Sequence, residues 1–143
     1  MNEPFDLDRF IQAQATSFTS ALTELRRGRK ATHWMWFVLP QMRGLGSSSM
    51  SRRYGIGSLE EARAYLAHPV LGSRLVACIN ALDEHVGTDP TDIFGPVDAV
   101  KFQSCLTLFA LASAPNSVFH NALDAHFAGR LDGATLALLS KPA

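Results

Sequence analysis

Asp98-Ala99-Val100-Lys101-Phe102-Gln103-Ser104-Cys105-Leu106-Thr107-Leu108-Phe109-Ala110-Leu111-Ala112 is the stretch that decides the fold. An aspartate able to cap a helix opens it, and Phe102, Cys105, Leu106, Leu108, Phe109 and Leu111 leave little polar surface on any side. A helix apolar nearly all round belongs at the centre of a domain, with other helices packed over it. Lys101, Ser104 and Thr107 interrupt the apolar surface at i, i+3 and i+6, a slanting polar stripe. A lysine there needs a partner or a ligand, because an unpaired buried charge is costly. Asp98, one turn earlier, is the near partner, and ligand contact is the other reading.

The segments on either side read as helices. Ile11, Ala15, Phe18, Leu22 and Leu25 recur at spacings of four, three, four and three, one face of a helix. Asp6 or Asp8 can cap it, Gly28 can end it in a left-handed turn, and Arg26 and Arg27 suit its last turn. Residues 33–39, His-Trp-Met-Trp-Phe-Val-Leu, form a short apolar run ended by Pro40, long enough for a buried strand or two helical turns. Residues 40–57 are rich in Gly, Ser and Arg, show no helical face and read as a long loop. Ser58-Leu59-Glu60-Glu61 is a capping box opening a helix to about residue 67, with Pro69 suited to the first position of the next.

Val70, Leu71, Leu75, Cys78, Ile79 and Leu82 give that next helix its face, and residues 91–95 read as a single turn. Asn116 or Ser117 starts a helix aligning Phe119, Leu123 and Phe127, and Asp132 caps a last one carrying Leu136, Leu138 and Leu139. The expectation is an all-α, single-domain orthogonal bundle of about six to seven helices over residues 1–143, with its core at about 7–140. It has a long Gly/Ser/Arg loop, little or no β structure and a short disorder-prone tail.

With 143 residues, 47% apolar and 18% charged, the composition is that of one globular domain. No apolar run is long enough to span a bilayer, and the acidic opening lacks the apolar block of a secretory signal. Cys78 and Cys105 sit in apolar surroundings and read as reduced, so a cytoplasmic protein is expected. The 13 basic and 13 acidic residues cancel, but Arg26, Arg27, Arg29, Lys30, Arg43, Arg52 and Arg53 give residues 25–59 a charge of +7 with no acid among them. A neutral total disfavours a broad nucleic-acid binder, while the asymmetry keeps a specific anionic partner in view.

Gly44-Leu45-Gly46-Ser47 and Gly55-Ile56-Gly57-Ser58 echo each other, and the second leads into a helix N-terminus, a setting that favours phosphate. Neither is a Walker A loop or a dinucleotide fingerprint. His33 could act as an acid or base, and Trp34 and Trp36 could stack on a base; both tryptophans could equally be core anchors. Glu61 is either the capping partner of Ser58 or a catalytic carboxylate. The functional reading takes Glu61 as catalytic and His33, Trp34, Trp36, Gln41, Gly46, Ser49, Ser51, Arg52, Tyr54 and Lys101 as ligand-binding. The five histidines have no metal-ligand spacing and no nucleophile elbow is present, so neither a metal nor a cofactor is expected.

Lys30-Ala31-Thr32-His33-Trp34-Met35-Trp36-Phe37, Pro40-Gln41, Gly44-Leu45-Gly46-Ser47, residues 61–72 and Lys101-Phe102-Gln103-Ser104-Cys105-Leu106-Thr107-Leu108-Phe109 resemble the domain-of-unknown-function family 1810. The likeness runs from about Phe10 to Leu139, with Cys105 where the family pattern reads a second serine. It implies a small, mainly helical bacterial domain; the calpastatin label some members carry has no support in these residues. More remotely, an acid opening a helix, a Leu-Gly break and a Lys-Phe helix are similar to bacterial N-glycosidases acting on ribosylamino-pyrimidine intermediates and ADP-ribose adducts. That similarity implies Glu61 and Lys101 as counterparts of the acid and lysine of those enzymes, with Ala62 in place of their histidine.

The resulting expectation is a protein that binds a phosphorylated, nucleotide-like small molecule and hydrolyses an N-glycosidic bond in it. Whether it is an enzyme at all stays open at this point. The alternative is a non-catalytic module that docks an acidic protein or RNA through the basic 26–53 segment.

Overall fold

The computed structural model describes residues 5–140; the acidic first residues and the tail expected to be disordered lie outside them. Among the described residues the chain forms ten α-helices and no strand. They are α1 (Asp8–Gln14), α2 (Phe18–Arg27), α3 (Met35–Val38), α4 (Ser49–Tyr54), α5 (Leu59–Ala67), α6 (Leu71–Ala81), α7 (Pro90–Phe94), α8 (Pro96–Leu111), α9 (Val118–Phe127) and α10 (Gly133–Leu139). A 3-10 turn, Leu82–His85, extends α6. The all-α expectation therefore holds, with more and shorter helices than the six to seven anticipated.

Helix α8 is the axis. Phe102, Cys105, Leu106, Leu108 and Phe109 are all buried, and α5, α7, α9 and α10 pack around it. Asp98 does not cap this helix: Gly95 holds the N-cap position and Pro96 follows it, which leaves Asp98 inside the first turn. An acid there still favours the helix dipole.

The long N-terminal helix read from Ile11 to Leu25 is two helices, divided at residues 15–17. Ala15, at the break, is exposed, and each half serves a different neighbour, α1 packing on α3 and α2 on α6. Gln14 closes α1 inside the core, donating from Nε2 to the Phe37 carbonyl at 2.6 Å and to the Tyr65 hydroxyl at 3.0 Å.

Residues 33–39 hold a single helical turn, α3, rather than a strand. Nor are residues 40–57 all loop, because α4 lies within them. Ser48 caps α4, its Oγ accepting from the Ser51 backbone N–H, and Tyr54 anchors it with its ring 5.3 Å from that of Phe37. Two backbone hydrogen bonds close the segment around α4: Arg43 N donates to Ile56 O at 2.8 Å and Ile56 N to Gln41 O at 2.9 Å. They form an isolated parallel bridge between Met42 and Ile56.

The Ser58 capping box is present, with Ser58 Oγ accepting from Glu61 N at 3.1 Å and Glu61 Oε1 accepting from Gly57 N at 2.9 Å. Pro69 precedes α6 instead of opening it, and His68 does the capping through Nδ1, which accepts from Val70 N and Leu71 N. Ser117 caps α9 and Asp132 caps α10, as their spacing predicts.

Candidate functional site

Residues 41–57 contribute to two cavities that share no lining residue. The first, about 490 Å³, is lined by Phe5, Asp6, Arg9, Arg43, Arg53 and Glu61. Glu61 reaches it from the first turn of α5, and the capping box fixes its direction. Its Oε2 lies 2.7 Å from Arg9 Nη2; the Glu61 side chain is buried and that of Arg9 partly so, at 6% and 10% exposure. Both carboxylate oxygens are thus engaged, an arrangement suited to an ionised group held in one orientation.

Arg9 spends its remaining N–H groups on the carbonyls of Phe5, Asp6, Arg53 and Gly55. Arg43 donates from Nη2 to the Gly55 carbonyl at 3.1 Å, and the Arg53 guanidinium lies 5.5 Å from the Tyr54 ring centroid. Among the described residues neither Arg43 nor Arg53 pairs with a carboxylate.

The second cavity, about 460 Å³, lies along the N-terminal half of α8. Leu45, Pro96, Val97, Val100 and Ala134 form its apolar wall, and Gln41, Lys101, Ser104 and Asp132 are its polar side chains, with Gly46 at one edge. Lys101 Nζ is 3.5 Å from Asp98 Oδ1 and 5.2 Å from the Trp36 ring centroid. The other Asp98 oxygen is 2.9 Å from Lys30 Nζ, which lies 5.2 Å from the Trp34 ring centroid. One aspartate therefore ties together two lysine–tryptophan pairs.

The rest of the α8 polar stripe receives the start of α10. Ser104 Oγ is 3.1 Å from Asp132 Oδ2, and Thr107 Oγ1 accepts from the Asp132 backbone N–H at 2.9 Å. Asp132 Oδ2 also accepts from Thr135 N and Thr135 Oγ1.

The candidate ligand residues divide among these settings. Gln41, Gly46 and Lys101 line the second cavity, with Trp36 half-buried beside Lys101. Glu61 lines the first. Trp34 is 1% exposed and hydrogen-bonds Glu24, which makes it a core anchor, and Tyr54 is buried against Phe10 and Phe37. His33, Ser49 and Arg52 are exposed and line neither cavity, while Ser51 belongs to the Ser48 cap.

Sequence reasoning missed Arg9, Arg43, Arg53 and Asp132 as cavity residues. A search for a cation to pair with the buried Glu61 could have found Arg9, but sequence offers no register for a contact 52 residues away. A larger hollow, about 690 Å³ and walled in part by Leu66, Gly72, Val76 and Phe119, has no charged side chain in its lining. No group of three or more His, Cys, Asp or Glu able to hold a metal ion occurs among the described residues. No helix among them is long and apolar enough to cross a membrane.

No curated protein matches the chain. Among solved structures, the crystal structure of the conserved hypothetical protein Rv1873 from Mycobacterium tuberculosis is similar, at 50% identity and a TM-score of 0.94. The match covers 98% of this chain and 100% of that one. The model of a family described as protein of unknown function (DUF1810) matches residues 4–139, and with that span the chain belongs to the DUF1810 family.

Proposed function

We propose that the protein binds a phosphorylated, nucleotide-like small molecule whose phosphate meets Arg43 and Arg53 in the cavity walled by the Arg9–Glu61 pair. The observation that carries this reading is the convergence of Arg43 and Arg53, neither paired with a carboxylate among the described residues, on a cavity walled by the Arg9–Glu61 ion pair. Guanidiniums suit phosphate because their N–H groups form a planar fork. Glu61 already neutralises Arg9, so Arg43 and Arg53 bring positive charge against Asp6 alone.

In this reading Glu61 is also the catalytic carboxylate. When the N-glycosidic bond breaks, its electron pair leaves with the base nitrogen, and positive charge develops on the sugar. A fixed, ionised carboxylate stabilises that charge while water adds to the sugar carbon and a proton goes to the departing nitrogen. Two free, buried cysteines suit the cytoplasm, the setting we assign to this activity.

The test is a thermal-shift screen against ADP-ribose, NAD, flavin-pathway intermediates, nucleotides and short RNA. A ligand at about 100 times its Kd stabilises by about 2.7 kcal/mol, a shift of several degrees in a domain of this size. The expected result is a shift with one small phosphorylated ligand, lost in Arg43→Ala and Arg53→Ala. Glu61→Gln should keep binding and lose turnover; unchanged turnover removes the catalytic part. Silence with small ligands, together with salt-sensitive RNA binding, overturns the proposal in favour of the docking module.

A further inference from the structure

The second cavity has a different chemistry from the first. We propose that the cavity along α8 takes a planar heterocycle of nucleobase type, one carrying an exocyclic amino group beside a ring acceptor. This deepens the proposed function and rests on it only for the attachment of that ring to a phosphate.

Three observations support the assignment. The first is shape and wall. A cavity of about 460 Å³ falls in the range of small-molecule sites, and its apolar side chains come from α8, α10 and the 41–46 segment. The second is unexplained exposure. Val97 and Val100 are 68% and 56% exposed at its rim, although they sit on the helix that is otherwise the most buried in the molecule. Folding covers neither valine, whereas a ring lying in the cavity would remove apolar surface from water.

The third is the set of solvent-reached polar groups that no described residue pairs. Asp132 Oδ2 accepts from Thr135 and lies beside Ser104, but Oδ1 has no hydrogen-bond partner among the described residues. The Gln41 side-chain amide has none either, since Gln41 meets Ile56 only through its backbone carbonyl. Asp132 thus offers an acceptor, Lys101 a donor, and Gln41 one of each.

A pure hydrocarbon would leave these groups desolvated and unpaired, at a cost in affinity. A phosphate would meet the Asp132 carboxylate and a lysine already shared with Asp98. A flat ring with a donor for Asp132 Oδ1 and an acceptor for Lys101 satisfies the groups and covers the valines. Adenine, cytosine and guanine carry such an amino group; uracil does not.

The experiment uses phosphate-free nucleosides and pyrophosphate as separate probes, followed by amide NMR shifts and calorimetry on the full chain. Adenosine, cytidine or guanosine should shift amides at residues 41–46, 97–104 and 132–134, with uridine binding at least tenfold more weakly. Val100→Trp, a change at an exposed position, should fill the cavity and abolish nucleoside binding while leaving pyrophosphate binding intact; Ala134→Trp is the second variant if the first folds poorly. Asp132→Asn keeps a side chain able to cap α10 and should move the preference toward uridine.

Nucleoside binding that survives a folded cavity-filling variant, or no nucleoside binding at all, overturns the inference. Pyrophosphate binding lost in Arg43→Ala and Arg53→Ala reports on the phosphate site alone. Failure of that arm with nucleoside binding intact removes the phosphate reading and leaves the heterocycle cavity standing.

Discussion

Trp34 Nε1 donates a 2.9 Å hydrogen bond to Glu24 Oε1, and the same carboxylate accepts from Ala31 N, Thr32 N and Thr32 Oγ1 at 2.6–2.9 Å. Four donors on one buried carboxylate tie the end of α2 to the turn that leads into α3. Burial by itself pushes the Glu24 carboxyl upward. The bonds from the Thr32 side chain, the Ala31 and Thr32 backbone and Trp34 outweigh it and bring the pKa down to about 2.

A folded pKa of about 2 against 4.5 unfolded means the contribution is fully present above pH 4.5 and is lost as pH falls toward 2. Glu24→Gln should lower stability at pH 7 by about 2–3 kcal/mol. It should also flatten the acid limb of a Tm–pH curve over that window. An unchanged acid limb would place the pH dependence elsewhere.

His126 should act at higher pH. Both of its ring nitrogens are buried without a hydrogen-bond partner, and its ring meets Phe102 edge-on at 5.7 Å. Desolvation lowers its pKa from 6.5, opposed by Asp83 and reinforced by His85. With the folded pKa below the unfolded one, stability is fully present above pH 6.5 and declines as pH falls below it. His126→Leu should remove that decline, so that Tm changes less between pH 7.5 and 5.5 than in the wild type.

Asp98 is the shared anion of two lysines, and Lys30 and Asp98 are only 7% and 21% exposed. Asp98→Ala should cost about 3 kcal/mol in chemical denaturation, because it leaves two cations facing each other in a partly buried setting. Lys30→Met in the same background should recover part of the loss. Additive effects of the two changes would mean that the pair is not coupled.

The α5–α6 corner admits no side chain at Gly72. A Cβ there would overlap the Leu66 carbonyl oxygen, a backbone atom that cannot swing aside. Gly72→Ala should destabilise by about 2–3 kcal/mol. Gly133→Ala, at the first position of α10 with nothing within 4 Å, should be neutral or slightly stabilising.

Burial pushes the Cys78 thiol up to about 12 and Cys105 well above its ordinary range. Native protein at pH 8 should therefore resist a thiol reagent that labels both cysteines in denaturant. Rapid labelling of either thiol in the native state would show that α6 or α8 opens.

Helix type and caps were legible where local rules decide them. The apolar circumference of α8, the Ser58 and Asp132 caps and the face from Phe119 to Phe127 follow from nearest-neighbour chemistry. The break at residues 15–17 was not legible, because the apolar period continues through it and only the separate partners of α1 and α2 require it. Helix α4 was hidden by its composition, since Ser48 reads as loop until it is seen capping Ser51.

The candidate site was legible in its centre of gravity and not in its division. Residues 41–57 do carry cavity-lining groups, but sequence cannot assign Arg43 to one cavity and Gln41 to the other when a single residue, Met42, separates them. Arg9 joins the set only through tertiary contact.

The bridge between Met42 and Ile56 makes residues 42–56 a closed ring. Arg43 and Arg53 on that ring face one cavity, and Leu45 and Gly46 face the other. Both cavities therefore take lining residues from one closed segment. Should an occupant of one cavity shift this shared segment and so change affinity at the other, reciprocity requires the second occupant to change affinity at the first by the same factor.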